Sequence, residues 1–276
     1  MGAFMHQSSS PARPHPSAWK RFIWLPAALI LLIWLINTPP GLLGKLDAIA
    51  YAVCHRIPSH SYFFAGRQLP LCARCTGMYL GALAGLVYQF RKERRGGFPS
   101  WKIAIPFIIS LVAFAVDGVN SYLHLIPGAP TAYASQNWLR LLTGSAFGLG
   151  MSVVLVPAFN QTAWADFLPS PPISNYQQIA LLFVLAAALD GLVFSGYPVL
   201  LYPLALLSTG SVLLLLTLVY SMALLLIFRR ENHYASWRGL TSFLVGGATL
   251  ALLQITLLDY GRFWLTHTWQ GFNLPG

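Results

Sequence analysis

The sequence predicts an all-α fold, a polytopic bundle of about seven transmembrane helices, and three observations carry that prediction. Of the 276 residues, 56% are hydrophobic and only 9% are charged, against roughly a quarter charged in soluble domains. Mean hydropathy is +0.61. Apolar runs of about 17 to 25 residues recur along the chain, long enough to cross the roughly 30 Å hydrocarbon core of a bilayer. This composition excludes a secreted disulfide scaffold, a coiled coil and a disordered chain.

Residues 1–19 are rich in Ser, Pro and His without apolar periodicity and read as a disordered cytoplasmic tail. Residues 20–276 read as one transmembrane domain. The first run, near 22–37, follows Lys20 and Arg21 and ends at Asn37-Thr38-Pro39-Pro40, with no small-residue cleavage site. It is therefore expected to be a retained span, not a signal peptide. A long connection over 38–70 follows. The remaining runs lie near 71–90, 103–119, 138–158, 177–195, 203–228 and 240–258.

Orientation follows from the basic residues of the short loops. Arg91, Lys92, Arg94, Arg95 and Lys102 cluster after the second run and place that end in the cytoplasm. The same assignment puts Arg13, Lys20, Arg21, Arg229, Arg230 and Arg238 inside, and Lys45, Arg56, Arg67 and Arg262 outside. Seven crossings then give an N-terminus inside and a C-terminus outside. The segment 159–176 fits less well, since it should be cytoplasmic yet holds Asp166 and no Lys or Arg. The net charge of +10 is thus an orientation signal. No helix carries the basic stripe that would track phosphates, so a nucleic-acid partner is not expected.

Polar residues inside spans are costly and face the bundle interior. Asp117 and Asn120, Asn137 and Arg140, Asp190, Asp259, and Cys72, Arg74 and Cys75 all fall at the outer ends of their runs. Asp117 and Arg140 each lie within an apolar run and are expected to pair, because a bare charge there costs several kcal/mol. The pair serves either a structural role or a polar cavity opening outward. Gly77, Gly81 and Gly85 recur every four residues in the second run, as do Gly144, Gly148 and Ser152 in the fourth. Such stripes let helix backbones approach closely. The two spans are therefore expected to pack together, with Arg140 near Cys72 and Cys75.

Every cysteine lies in one string, Cys54-His55-Arg56-Ile57-Pro58-Ser59-His60 through Pro70-Leu71-Cys72-Ala73-Arg74-Cys75-Thr76-Gly77. Three cysteines are too few for a disulfide framework. Cys72 and Cys75 open a helix whose free N–H groups favour thiolate. With Cys54 and a histidine they offer the four donors that zinc, or another thiolate-binding metal, takes tetrahedrally. His55 and His60 both remain candidates for the fourth place. Thr76 after Cys75 excludes a haem-attachment motif. Two alternatives stay open: a dithiol passing electrons to a quinone in the bilayer, and cysteines with a structural role only.

The run from Cys54 to Gly81, C-H-R-x-P through P-L-C-A-R-C-T-G-x-Y-x-G, resembles the signature of a family of bacterial and archaeal integral membrane proteins classed as a domain of unknown function. The likeness continues through Asp117-Gly118 with Asn120 and through Asn137-x-x-Arg140 with Thr143-Gly144, and covers roughly residues 45–155. The resemblance implies a membrane protein and supplies no substrate. The expectation is a bacterial inner-membrane protein with a metal at Cys54, His55 or His60, Cys72 and Cys75. Beside it, Arg74, Asp117, Asn120, Asn137 and Arg140 would bind a polar or anionic small molecule or lipid, in transport or in membrane-embedded catalysis; the alternatives are a quinone-linked thiol oxidoreductase and a structural scaffold whose metal only fixes the outer loop. No P-loop, H-E-x-x-H or Ser-His-Asp order is present.

Overall fold

A computed structural model describes residues 23–272. The tail at 1–19, with Arg13, lies outside the described residues, as do Lys20 and Arg21. Among the described residues the chain forms helices α1 (Trp24–Asn37), α2 (Gly41–Val53), α3 (Ala73–Phe90), α4 (Trp101–Leu123), α5 (Asn137–Ala163), α6 (Tyr176–Ser195), α7 (Leu201–Ile227) and α8 (Trp237–Thr266). A two-residue hairpin, β1 (Phe63–Phe64) against β2 (Arg67–Gln68), sits in the loop before α3.

The all-helical expectation holds, and the runs resolve unevenly. Helices α4 to α8 are each long and apolar enough to cross a membrane. The first run forms only 14 helical residues, about 21 Å, and the chain then bends by 107° into α2, so the bent pair counts at most as a sixth span. The Thr38-Pro39-Pro40 break forces that bend, since two prolines cannot continue α1. The Lys45 ammonium covers the end of α1, donating to Thr38 O at 3.0 Å, to Thr38 Oγ1 at 2.8 Å and to Leu35 O. The segment 38–70, read as a connection throughout, thus holds a helix of its own.

Helix α3 is not among the apolar spans, because Arg74, Thr76 and Gln89 dilute its hydropathy. It is instead sheathed by protein. A Cβ added at Gly77 would lie 2.2 Å from Leu141 O, one at Gly81 2.2 Å from Ser145 O, and one at Gly144 2.2 Å from Arg74 O. Gly148 meets Met78 O in the same way at 2.0 Å. The reciprocal glycines bring the α3 and α5 backbones into contact, as the two stripes predict.

The loops gather at two ends of the bundle. At one, Gly96 N–H donates to Leu168 O at 2.8 Å and Ala165 N–H to Tyr234 O at 3.0 Å, tying together the loops that carry Arg91–Arg95, 164–175 and 228–236. This is the basic end. At the other, Asn137 Nδ2 donates to Ser59 O at 3.0 Å and Phe272 N–H to His55 O at 3.1 Å. All three cysteines lie at that thiol end.

Candidate functional site

Cys54 is the residue at which α2 stops; its backbone turns extended while its N–H still donates to Ala50 O at 2.8 Å. Cys72 precedes the first turn of α3, and its N–H donates to Cys54 Sγ at 3.3 Å. Cys75 follows within that turn. The Cys54 and Cys72 sulfurs lie within 4.8 Å of each other, and both residues are buried. Hydrogen bonds from the Cys72 and Cys75 thiols hold Cys54 well below the usual thiol range, and that same bond to Cys54 pushes the Cys72 thiol up.

His55 joins the cluster. Its ring nitrogen, Cys54 Sγ and Cys72 Sγ all lie within 4.8 Å of one another. Bond lengths of about 2.3 Å to sulfur and about 2.0 Å to nitrogen separate tetrahedral donors by roughly 3.5–3.8 Å, so a small contraction closes the set around an ion. The His60 ring stands edge-on to that of His55 at 5.4 Å between centroids. Burial lowers both imidazoles, and His60, with Arg140 adding to the effect, falls to about 4. Both are neutral at ordinary pH, which is the metal-binding form. His55 Nδ1 accepts from Ile57 N–H at 3.1 Å. His55 must give up that bond to present a lone pair to an ion with its proton on the other nitrogen.

Four arginines surround the cluster in different ways. Arg56 is buried with a left-handed backbone at φ 54°, and its Nη2 lies 2.7 Å from Asp47 Oδ1, while Arg67 contacts Asp47 Oδ2. Gly271 packs against Arg56, where a Cβ would stand 1.8 Å from Arg56 O. Arg262, from the far end of α8, donates to Tyr51 O at 2.7 Å, Cys54 O at 2.6 Å and His55 O at 3.2 Å. Its guanidinium lies 4.0 Å from the Tyr51 ring centroid and 4.3 Å from that of Phe272. A cation on the last carbonyls of α2 satisfies acceptors that the helix leaves open and fixes where Cys54 and His55 point. Spacing gave no sign of Arg262, which is more than two hundred residues from the loop it grips.

The remaining two arginines overturn the expected Asp117–Arg140 pair. Arg74, on the first turn of α3, pairs with Asp117 and donates to Ser121 Oγ at 2.8 Å and Asp117 O at 2.9 Å. Tyr133 donates to the other Asp117 oxygen at 3.0 Å. The tight α3–α5 seam sets this choice, bringing Arg74 across to α4 while Arg140 turns along its own helix. Arg140 is 4% exposed and meets neutral oxygens only, Asn137 Oδ1 at 2.7 Å and Ser121 Oγ at 3.3 Å. No carboxylate lies within ion-pair distance of it among the described residues.

Asn120 and Asn137 are both spoken for. Asn120 donates to Tyr133 O at 3.0 Å and accepts from Ala132 N–H at 2.8 Å, tying down the loop after α4. Asn137 joins Ser59 O to Arg140. The structure therefore gathers the sequence-predicted residues at one end, yet of the polar five only Arg140 lacks a charged partner or a loop to hold.

A family model described as "Predicted membrane protein (DUF2085)" matches residues 54–154, from Cys54 through most of α5. The chain is 32% identical over 125 residues to an uncharacterized protein of Methanocaldococcus jannaschii, covering 44% of this chain and 73% of that one. It is 30% identical over 102 residues to an uncharacterized protein of Methanothermobacter thermautotrophicus, covering 37% and 83% respectively. No solved structure matches. With nearly three quarters of one relative and more of the other covered, this chain belongs to the DUF2085 family of predicted membrane proteins.

Proposed function

We propose that the protein crosses the cell membrane seven times, with its thiol end facing outward, and holds a thiolate-binding metal such as zinc at Cys54, Cys72, Cys75 and His55, with His60 as the alternative nitrogen. Beside the metal, Arg140 receives the anionic group of a small molecule or lipid that the protein transports or converts. The observation that carries this reading is the convergence of Cys54, His55 and Cys72 donors within 4.8 Å, with Cys75 in the adjoining first turn of α3, beside a buried guanidinium with no carboxylate in ion-pair distance among the described residues. Free thiols at an oxidising outer face either pair or are held by metal. A buried cation facing neutral oxygens alone is poised for an external anion, and the planar fork of arginine suits a carboxylate or phosphate.

Each part has a definite task in this scheme. Arg262 sets the Cys54–His55 segment. Arg74 neutralises Asp117, so that acid does not compete for Arg140. A metal held by four protein donors would be coordinatively closed and would fix the Cys54–Cys75 segment beside Arg140. A second reading, a thiol–disulfide couple, draws on the Cys54 and Cys72 sulfurs lying within 4.8 Å of each other.

Two measurements test the proposal. Arg140→Gln keeps hydrogen-bonding capacity toward Ser121 while removing the charge. It should fold by fluorescence-detected size exclusion yet fail to restore the phenotype of a deletion strain, and full complementation would overturn the anion role. For orientation, cysteines introduced at exposed Ser59 and Ser100 report opposite ends. An impermeant maleimide should label Ser59→Cys in intact cells and spare Ser100→Cys, and the reverse pattern would turn the site toward the cytoplasm.

A further inference from the structure

Between α4, α5 and α7 lies a cavity of about 730 Å³, within the range of roughly 300–1,000 Å³ typical of ligand sites. Among the described residues Tyr79 of α3 is the only polar side chain that lines it; Phe107, Phe147, Met151 and Leu216 are representative of the rest. Tyr79 follows Cys75 by four residues and so shares its face of α3. A helical tyrosine leans back over the preceding turn, which here is the turn of Cys75. Its hydroxyl makes no hydrogen bond among the described residues.

These features select an occupant by chemistry. A phospholipid headgroup is excluded, because no lining side chain compensates a charge taken out of water. A neutral head with an acceptor oxygen satisfies the Tyr79 hydroxyl, and a hydrocarbon chain satisfies the walls. We propose that this cavity binds a membrane-dissolved quinone, with a carbonyl at Tyr79 and the chain between α4 and α7. The choice of a quinone over other neutral oxygen compounds rests on the thiol–disulfide reading of the neighbouring cysteines, the second reading above, which applies to the metal-free sulfurs. In that step the S–H bonds of Cys72 and Cys75 break and one S–S bond forms between the two sulfurs. The two protons and two electrons released convert the two quinone carbonyls to hydroxyls.

The test is equilibrium binding of a short-chain benzoquinone to the purified full-length protein in nanodiscs, with free-thiol titration as a parallel readout. Tyr79→Phe should weaken binding about threefold to tenfold, the range of one hydrogen bond. Gly150 and Ala158 line the cavity, and Gly150→Phe or Ala158→Phe should abolish binding with an unchanged size-exclusion profile. Binding that survives both filling substitutions, or that an alkane of equal length displaces equally well, would overturn the proposal. Quinone bound without loss of thiols would uphold the cavity and sink the thiol–disulfide reading. Thiols that oxidise with a water-soluble oxidant while no quinone binds would sink the cavity alone.

Discussion

The two ends of the bundle carry similar residue types and use them in opposite ways. At the basic end Arg91, Arg229, Arg230 and Arg238 are exposed, Arg94 lies 4.0 Å from the Trp164 ring centroid, and the Arg95–Glu93 contact at 3.5 Å joins side chains 34% and 70% exposed. At the thiol end Arg56, Arg140, Asp117, Asp190 and Asp259 are all buried. Charge at a surface costs little and orients a chain in the membrane. Charge taken inside persists only where partners hold it or a function needs it. The contrast teaches that net charge locates nothing, whereas burial without an ion-pair partner among the described residues marks Arg140 among the buried arginines, with Asp190 and Asp259 as its acidic counterparts.

The strongest way to break this comparison is to treat the two acid–arginine pairs alike. Asp117→Leu or Arg74→Leu strands a buried charge and should cost about 3–5 kcal/mol, while the double replacement should recover most of that loss. Removing the partly exposed Arg95–Glu93 pair should change stability by about 0–1 kcal/mol. Thermal unfolding followed by size exclusion gives all four values. Equal costs at the two ends would mean that burial does not separate them.

A smaller effect sharpens the role of Arg262. Arg262→Gln removes the fork that holds three carbonyls around Cys54 without touching a thiol. Zinc affinity, read by competition with a chromophoric chelator, should fall about 10- to 100-fold, the usual effect of losing support behind a metal ligand. An unchanged affinity would reduce Arg262 to a helix cap.

Much of this was legible in the sequence, for physical reasons that differ by residue. The glycine stripes at Gly77, Gly81, Gly144 and Gly148 foretold the α3–α5 seam, because four-residue spacing of small side chains has one geometric meaning on a helix. The Cys-His string placed its thiols together because Cys72 and Cys75 share a turn. The partner of Asp117 was not legible. Arg74 and Arg140 sit at similar depth on facing helices, and depth does not say which way a long side chain turns. Asn120 and Asn137 looked like ligand contacts for the same reason, and their loop bonds appear only in three dimensions. Helix α2 was missed because its 13 residues are too few to span a bilayer and stand beside two prolines. Arg262 left no local trace, since contact across more than two hundred residues is a property of the fold.

The central claim is that the convergent thiols hold a metal, and elemental analysis of the detergent-purified protein tests it most directly. About one equivalent of zinc or another thiolate-binding metal per chain should copurify, and Cys72→Ser/Cys75→Ser should lose it while remaining monodisperse, since each tetrahedral thiolate site needs its sulfurs. Full metal content in that double variant, or none in the wild-type protein purified without chelator, would contradict the account.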